Sequence, residues 1–401
     1  MMWRDGEVLA LRRSWGEPGR RCLELDVEIT AAPAGARGLP PGRACRAVAY
    51  EQLCGEPRPG ERVRLEVSAL DRGLGTGGHA MVAARLDVLP ADPPADGHLV
   101  KARYMPDQVM VAGADEQGAA HHDVLSRPIG GLVLDGTPVV VADLHSSLPA
   151  IVAGARAGAG GGRPARIVYV MTDGGALPLA YSRTVAALRR AGWIAGTVTA
   201  GQAWGGDLEA VSIHNALLAA RRVLGAQIVV AIQGPGNLGT DTPWGFSGVA
   251  CGDAVNAVAS LGGRPIACLR ISQADARERH RGVSHHSLTA YGRVALAGAD
   301  VVVPRLGGEL GRRVDAQARR LCEPRAVGAR HRRVDADVEG LREVLAGAER
   351  AIGVRLSTMG RGLEDDEAAF VAAAAAGRHA AAVAAAGRST KIGRASCRER
   401  V

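Results

Sequence analysis

"PVVVAD" at 138–143 opens a series that fixes the fold class of the second half of this chain. "RIVYVMTD" (166–173), "IAGTVTAG" (194–201), "AQIVVAIQG" (226–234), "RPIACLRIS" (264–272) and "ADVVVP" (299–304) repeat its form. Each run but the last is followed by an amphipathic stretch of helical length. A strand with one solvated face alternates apolar and polar residues, whereas continuous apolar runs separated by helices mark strands buried on both faces of a parallel sheet. The spacing predicts a doubly wound α/β domain with helices on both faces of a largely parallel sheet, over about 138–305 and continuing to 391. The alanine-rich tract 363–387 is read as a helix packed on the same sheet, with Glu364, Asp365 and Asp366 favourably placed at its positive end.

Upstream the period changes to two. "GEVLALRRSW" (6–15), "RCLELDVEIT" (21–30), "RACRAVAYEQL" (43–53), "ERVRLEVSAL" (61–70) and "HAMVAARLDVL" (79–89) alternate like strands between Gly and Pro clusters, which predicts a small β-barrel over 1–95. Glycines 73, 75, 77 and 78 form a turn before the last of them, read as a tight barrel turn or a loop folded over the second domain. "LPADPPADG" (89–97) reads as a linker, and 96–137 as a connecting segment. The last ten residues, "IGRASCRERV" (392–401), resemble the translation of a sequencing adapter and carry no weight in the reading of fold or function.

Composition narrows the partners. Of the 401 residues, 47% are hydrophobic, enough for a sizeable core. The net charge of +8 is nearly all arginine, since lysine occurs only at Lys101 and Lys391. Nine arginines between Arg305 and Arg333 face Glu309, Asp315 and Glu323. With 3% aromatics there is little to stack bases on, so a nucleic acid is disfavoured. Seven cysteines without a C-x-x-C pair point to a reducing compartment. With no signal peptide and no long apolar run read as a span, the expected location is the cytoplasm and a membrane is not an expected partner. Homo-oligomers are allowed.

In a doubly wound sheet, ligands bind beyond the carboxyl ends of the strands. Two strand-end loops are rich in binding groups. The first, "GPGNLGTDTPWGFSG" (234–248), matches neither Walker A nor the dinucleotide fingerprint. Its Gly234, Gly236, Asn237, Gly239, Thr240 and Ser247 predict a cradle for a phosphate or carboxylate. The second, "RERHRGVSHHSLTAYG" (277–292), holds three arginines, three histidines and two serines. Arg277, Arg279 and Arg281 are assigned to the same anion. Ser284 is expected to cap a helix, which places His285 and His286 in the first turn with about 100° between them, so at most one faces a pocket. The positive helix end and the arginines predict a neutral imidazole there, able to act as base, donor or ligand. Asp143, His145, Asp173 and His280 complete the catalytic candidates, with helix capping the competing role for Asp143. A metal bound by Asp143, His145, Asp173 and one histidine of 280–286 is conceivable, but that spacing is not the i, i+4 zinc pattern, so no metal ligands are assigned and no cofactor is named. There is no G-x-S-x-G elbow and no cysteine in a basic strand-end loop, which leaves covalent catalysis little support.

Several of these strings occur together and in order: "DRGLGTGG" (71–78), "MTDGGALP" (171–178), "GQAWGGDLEA" (201–210), "GPGNLGTDTPWGFSG" and "ERHRGVSHHSLTAYGRVAL" (278–296). On them the chain resembles, over nearly all of 1–391, an uncharacterised bacterial family known as domain of unknown function 3866. The resemblance implies no activity and no catalytic residues. The chemistry alone predicts an enzyme that acts on a small anionic metabolite by His/Asp acid–base steps, or a module that binds such a ligand without turning it over.

Overall fold

The structure is a computed structural model that describes residues 1–75, 77–93 and 96–398, the side chains of 388–398 excepted. The chain forms two compact units, Met1–Ala112 with Ala180–Ala186, and Gly113–Leu179 with Ala187 onward. The expected connecting segment 96–137 is thus divided between them. Of the adapter-like segment, 399–401 lies outside the described residues.

The first unit is a closed barrel of five strands: β1 (Trp3–Trp15), β2 (Cys22–Ala31), β3 (Ala44–Tyr50), β4 (Arg62–Glu66) and β5 (Ala80–Arg85), ordered β1-β2-β3-β5-β4. β3 and β5 run parallel and the other pairs antiparallel. That order, with one parallel pair closing the barrel, is the connectivity of an OB-fold. Leu23, Leu25, Val27 and Ile29 alternate into its core. The opposite side chains of β2 include Cys22 and Glu24, both fully buried. The 180–186 segment belongs to this unit: Trp15 Nε1 donates to Ala180 O at 2.7 Å and the Arg183 guanidinium lies over the Trp15 ring. Gly73, Gly75, Gly77 and Gly78 all take positive φ, as a tight turn requires, while residue 76 lies outside the described residues. Lys101, Arg103 and Tyr104 lie in this unit too, in and beside a hairpin of Leu99–Lys101 with Val109–Val111.

The second unit holds eight parallel strands: β6 (Pro138–Ala142), β7 (Ile167–Thr172), β8 (Gly196–Ala200), β9 (Leu208–Ala210), β10 (Ile228–Gln233), β11 (Arg264–Cys268), β12 (Asp300–Pro304) and β13 (Arg332–Ala336). Their order is β9-β8-β7-β10-β6-β11-β12-β13. Six of them are the apolar runs of the sequence. The edge strands β9 and β13 carry too few apolar residues to stand out.

Among the described residues, the α-helices of five or more residues are α1 (Leu148–Ala157), α2 (Arg183–Arg190, which begins in the first unit's 180–186 segment), α3 (Ile213–Arg222), α4 (Cys251–Ser260), α5 (His285–Thr289), α6 (Gly308–Leu321), α7 (Leu341–Ile352) and α8 (Glu367–Arg398). Val139, Val141, Val168, Val170, Val229 and Ala231 share one buried cluster with Leu217 of α3 and Val255 and Val258 of α4. Their neighbours Val140, Tyr169 and Val230 are buried as well and point to the other face, which explains the unbroken apolar runs. There α8 packs on β6, β11 and β12, and on α1. Glycines permit that helix contact: a Cβ on Gly154 would lie 1.9 Å from Ala374 O, and one on Gly377 1.9 Å from Ile151 O. Glu367–Gly387 is, by length and composition, apolar enough to cross a membrane, contrary to the reading that no run qualifies. With 67% of that window buried, however, it serves as a core helix.

From β6 the chain passes through α1 to β7, on one side in the sheet. From β10 it passes through α4 to β11, on the other. The carboxyl ends of β6 and its neighbours β10 and β11 are therefore topological switch points, where doubly wound sheets place their ligands.

Candidate functional site

Four segments converge in the crevice beyond those strand ends. Asp143 directly follows β6, the loop 234–248 follows β10, and Arg270 lies just past β11. Ile271–Ser272 then pairs with Gly282–Val283, and this small ribbon returns the chain to α5 with His280 in the turn between its strands. Gly282, at φ 69°, sits where a Cβ would meet Gln317 at 2.4 Å. Ser284 caps α5 as expected, its hydroxyl accepting from His286 N at 3.2 Å.

Asp143, 5% exposed, is the hub. Its Oδ2 lies 2.9 Å from His286 Nδ1 and accepts from Arg270 NH1 at 3.1 Å, while Oδ1 accepts from Asn237 Nδ2 at 2.9 Å. Gln233 Nε2 donates to the Asp143 carbonyl at 3.1 Å. Burial pushes the carboxyl's pKa up, but the His286 hydrogen bond and the Arg270 charge more than offset this and hold it below the ordinary value. Gly248 backs the carboxylate so closely that a Cβ there would fall 1.7 Å from Oδ1. Arg270 NH1 also lies 2.9 Å from His286 Nδ1. A nitrogen that donates to Asp143 cannot accept from Arg270 as well, so with Nδ1 protonated Arg270 serves the carboxylate alone and Nε2 is left as the basic nitrogen.

The three histidines form a triangle. Ring centroids stand 4.5 Å apart for His285 and His286, 4.9 Å for His280 and His285, and 5.1 Å for His280 and His286. The expectation that only one of the adjacent pair faces the site does not hold. α5 is a five-residue helix, and the ribbon brings His280 back against both rings. Phe246 stacks on His286 at 3.8 Å. Burial pushes His280 down to about 3, helped by the charges of Arg270 and Arg277. Burial, then His286 and Arg279, push His285 down to about 4. Both are neutral at pH 7, with desolvation rather than the helix end as the leading cause. His285 Nε2 is buried without a hydrogen-bond partner, which costs about 1–3 kcal/mol.

Other candidates lie elsewhere or are engaged. His145 Nδ1 meets Tyr169 OH at 3.1 Å, and burial pushes its pKa down to about 4. Asp173 accepts from Gln202 N at 3.0 Å and lines a separate cavity of about 280 Å³ with Ser212, Gln233, Ser247, Gly248 and Asp253. Thus Asp143, His145 and Asp173 do not form one ligand set. In the glycine loop, Ser247 Oγ bonds Leu238 N and Asn237 Oδ1, and Thr240 bonds Gly245. Gly234 packs against Ala176 O, 2.3 Å from a would-be Cβ, and a Cβ on Gly239 would be in contact with Gly245 O at 3.8 Å, whereas Gly236 faces open space. Arg277 is paired with Asp275 at 3.0 Å, Arg279 with Asp241, and Arg281 Nε donates to Asp275 O at 3.1 Å. Arg270, which the sequence reading passed over, is the arginine that touches the dyad. Its signal was a charge interrupting the apolar run "RPIACLRIS".

The sequence profile of a family described as "Protein of unknown function (DUF3866)" matches residues 46–377. The chain belongs to that family. No curated protein and no solved structure matches it. The matched span of this DUF3866 protein begins inside β3, so β1 and β2 lie outside it, while every residue of the Asp143 cluster lies within it.

Proposed function

We propose that this DUF3866 protein is a cytoplasmic enzyme acting on a small anionic metabolite, with proton transfer at the histidine triangle under the control of Asp143. The observation that carries the reading is the Asp143–His286 pair at the switch-point crevice. A buried carboxylate fixing Nδ1–H leaves Nε2 as a base, and neutral His280 and His285 beside it add donors and acceptors at the same spot. Arg270, Arg277 and Arg279 lower the neighbouring imidazoles through their charge, so the field that keeps these rings neutral also draws an anion to them. Gly236 supplies the rim, in place of a cradle made from the whole loop.

Binding without turnover is the second reading. It draws on the 280 Å³ cavity, whose walls carry no histidine and meet the cluster through Ala142, Gln233, Ser247 and Gly248. Thermal unfolding in the presence of inorganic phosphate and a panel of phosphorylated and carboxylated metabolites tests both. We expect phosphate or a carboxylate to raise the unfolding temperature of the wild type and not of Arg270→Gln. A wild type that no anion stabilises refutes the anion reading. Consumption of a stabilising metabolite by wild type and not by His286→Ala separates enzyme from binder.

A further inference from the structure

The histidine triangle can do more than move a proton. We infer that His280, His285 and His286 hold one divalent transition-metal ion of the zinc type, each through one ring nitrogen, leaving a fourth position for an oxygen ligand. The inference deepens the reading above in one respect: where an ion sits, its bound water rather than a bare imidazole handles the proton. Occupancy itself does not depend on turnover.

Three observations carry it. The first is spacing. With zinc–nitrogen bonds of about 2.0–2.1 Å, three imidazoles on a tetrahedral ion place their ring centroids roughly 5.2 Å apart. The centroids here stand at 4.5, 4.9 and 5.1 Å, and one nitrogen from each ring lies within 4.8 Å of the others.

The second is the outer ring of partners. A ligating histidine is normally held by a hydrogen bond from its other nitrogen to an oxygen. His286 Nδ1 has Asp143 Oδ2 at 2.9 Å, and His280 Nδ1 has Ser284 Oγ at 2.7 Å. In the tautomers that donate to those oxygens, both rings present Nε2 as a lone pair. The third is His285, whose Nε2 is buried and has no partner within the protein.

The positive field that lowers His280 and His285 opposes a cation, but only in part, because it is offset by nearby carboxylates. Arg270 is paired with Asp143, Arg279 with Asp241, and Arg277 with Asp275, which Arg361 shares. Three neutral ligands leave the ion's double charge uncompensated, so its fourth ligand is hydroxide or an oxygen of an anionic substrate. Imidazole donors select zinc, copper, iron or nickel over magnesium and calcium.

The test uses the full chain, stripped of metal with a chelator and titrated with cobalt(II), whose visible bands report nitrogen coordination, and then with zinc as competitor. We expect a saturable band at a single equivalent that zinc removes. The band shifts when phosphate is added. His285→Ala and His286→Ala each weaken cobalt binding by at least ~10-fold, and His214→Ala, on the exposed side of α3, does not. A wild type with no saturable band, or a His285→Ala protein that binds as tightly as the wild type, overturns the proposal. The wild-type titration decides even if a variant fails to fold. Thermal stabilisation by phosphate without a cobalt band removes the metal and spares the anion reading, and a cobalt band with no response to any anion does the reverse.

Discussion

Two buried aspartates in the second unit collect the same kinds of partner at opposite ends of the sheet. Asp143, after the carboxyl end of β6, has His286, Arg270 and Asn237. Asp300, at the start of β12, accepts from Arg264 at 2.9 Å and Arg332 at 2.6 Å, with His379 of α8 at 2.8 Å. Burial pushes both carboxyls up, and their partners pull both below the ordinary range. The chemistry of the trio therefore does not separate a site from a brace. What separates them is the surroundings. Around Asp300 the guanidinium side chains are 42% and 55% exposed, and they join the amino ends of β11, β12 and β13. Around Asp143 the guanidinium is 10% exposed and the histidine belongs to a triangle of rings at the crevice. An Asp–His–Arg set becomes a candidate site when it lies where helices diverge.

The strongest way to break that comparison is to neutralise each aspartate. Asp143→Asn is expected to abolish the thermal response to phosphate and to weaken cobalt binding ~10–100-fold, because the imidazole loses the partner that fixes its tautomer. Asp300→Asn is expected to lower stability by about 1–3 kcal/mol, read by urea unfolding, and to leave both binding responses within about twofold. Equal losses of binding from the two variants would erase the distinction.

A smaller effect should come from Gly248→Ala. The added methyl meets Asp143 Oδ1 in a shell already bonded to three partners, so the carboxylate has to move. We expect a stability loss of about 1–3 kcal/mol together with a diminished phosphate response, whereas nothing comparable crowds Asp300. An unchanged response would show that the position of the carboxylate matters less than its charge.

The remaining effect is in pH. His145, neutral when folded because burial holds its pKa at about 4, takes up a proton in the unfolded chain near 6.5. Between those values the unfolded state binds more protons, so stability falls as pH drops from 6.5 to about 4. In His145→Gln that component is missing, and its unfolding free energy should vary less steeply across the window. Identical slopes would place His145 in water rather than in the core.

Much of the architecture was legible because it rests on periods. The alternating strands of 6–89 and the apolar runs from 138 to 304 each have only one way to bury their side chains. The edge strands Leu208–Ala210 and Arg332–Ala336 escaped notice, since one edge is three residues long and the other is mostly charged. The site was legible as a set of loops and not as a set of contacts. Asp143, His280, His285 and His286 were among the candidates and do meet. Asp173, equally plausible at the end of a strand, belongs to a neighbouring cavity because β7 stands one strand away from β6, with β10 between them. Arg277, Arg279 and Arg281 looked like an anion clamp in linear order, yet each meets an acceptor that only the folded loop supplies.

Local sequence by itself determined which segments are strands and helices, where Ser284 starts α5, and that polar loops cluster at strand ends, because these follow from side-chain period and backbone preference over a few residues. Only the tertiary structure decided that residues 143, 237, 270, 280, 285 and 286 share one crevice and that Asp173 does not. Strand order is set by which surfaces pack best across the whole sheet, and no short stretch of chain carries that information.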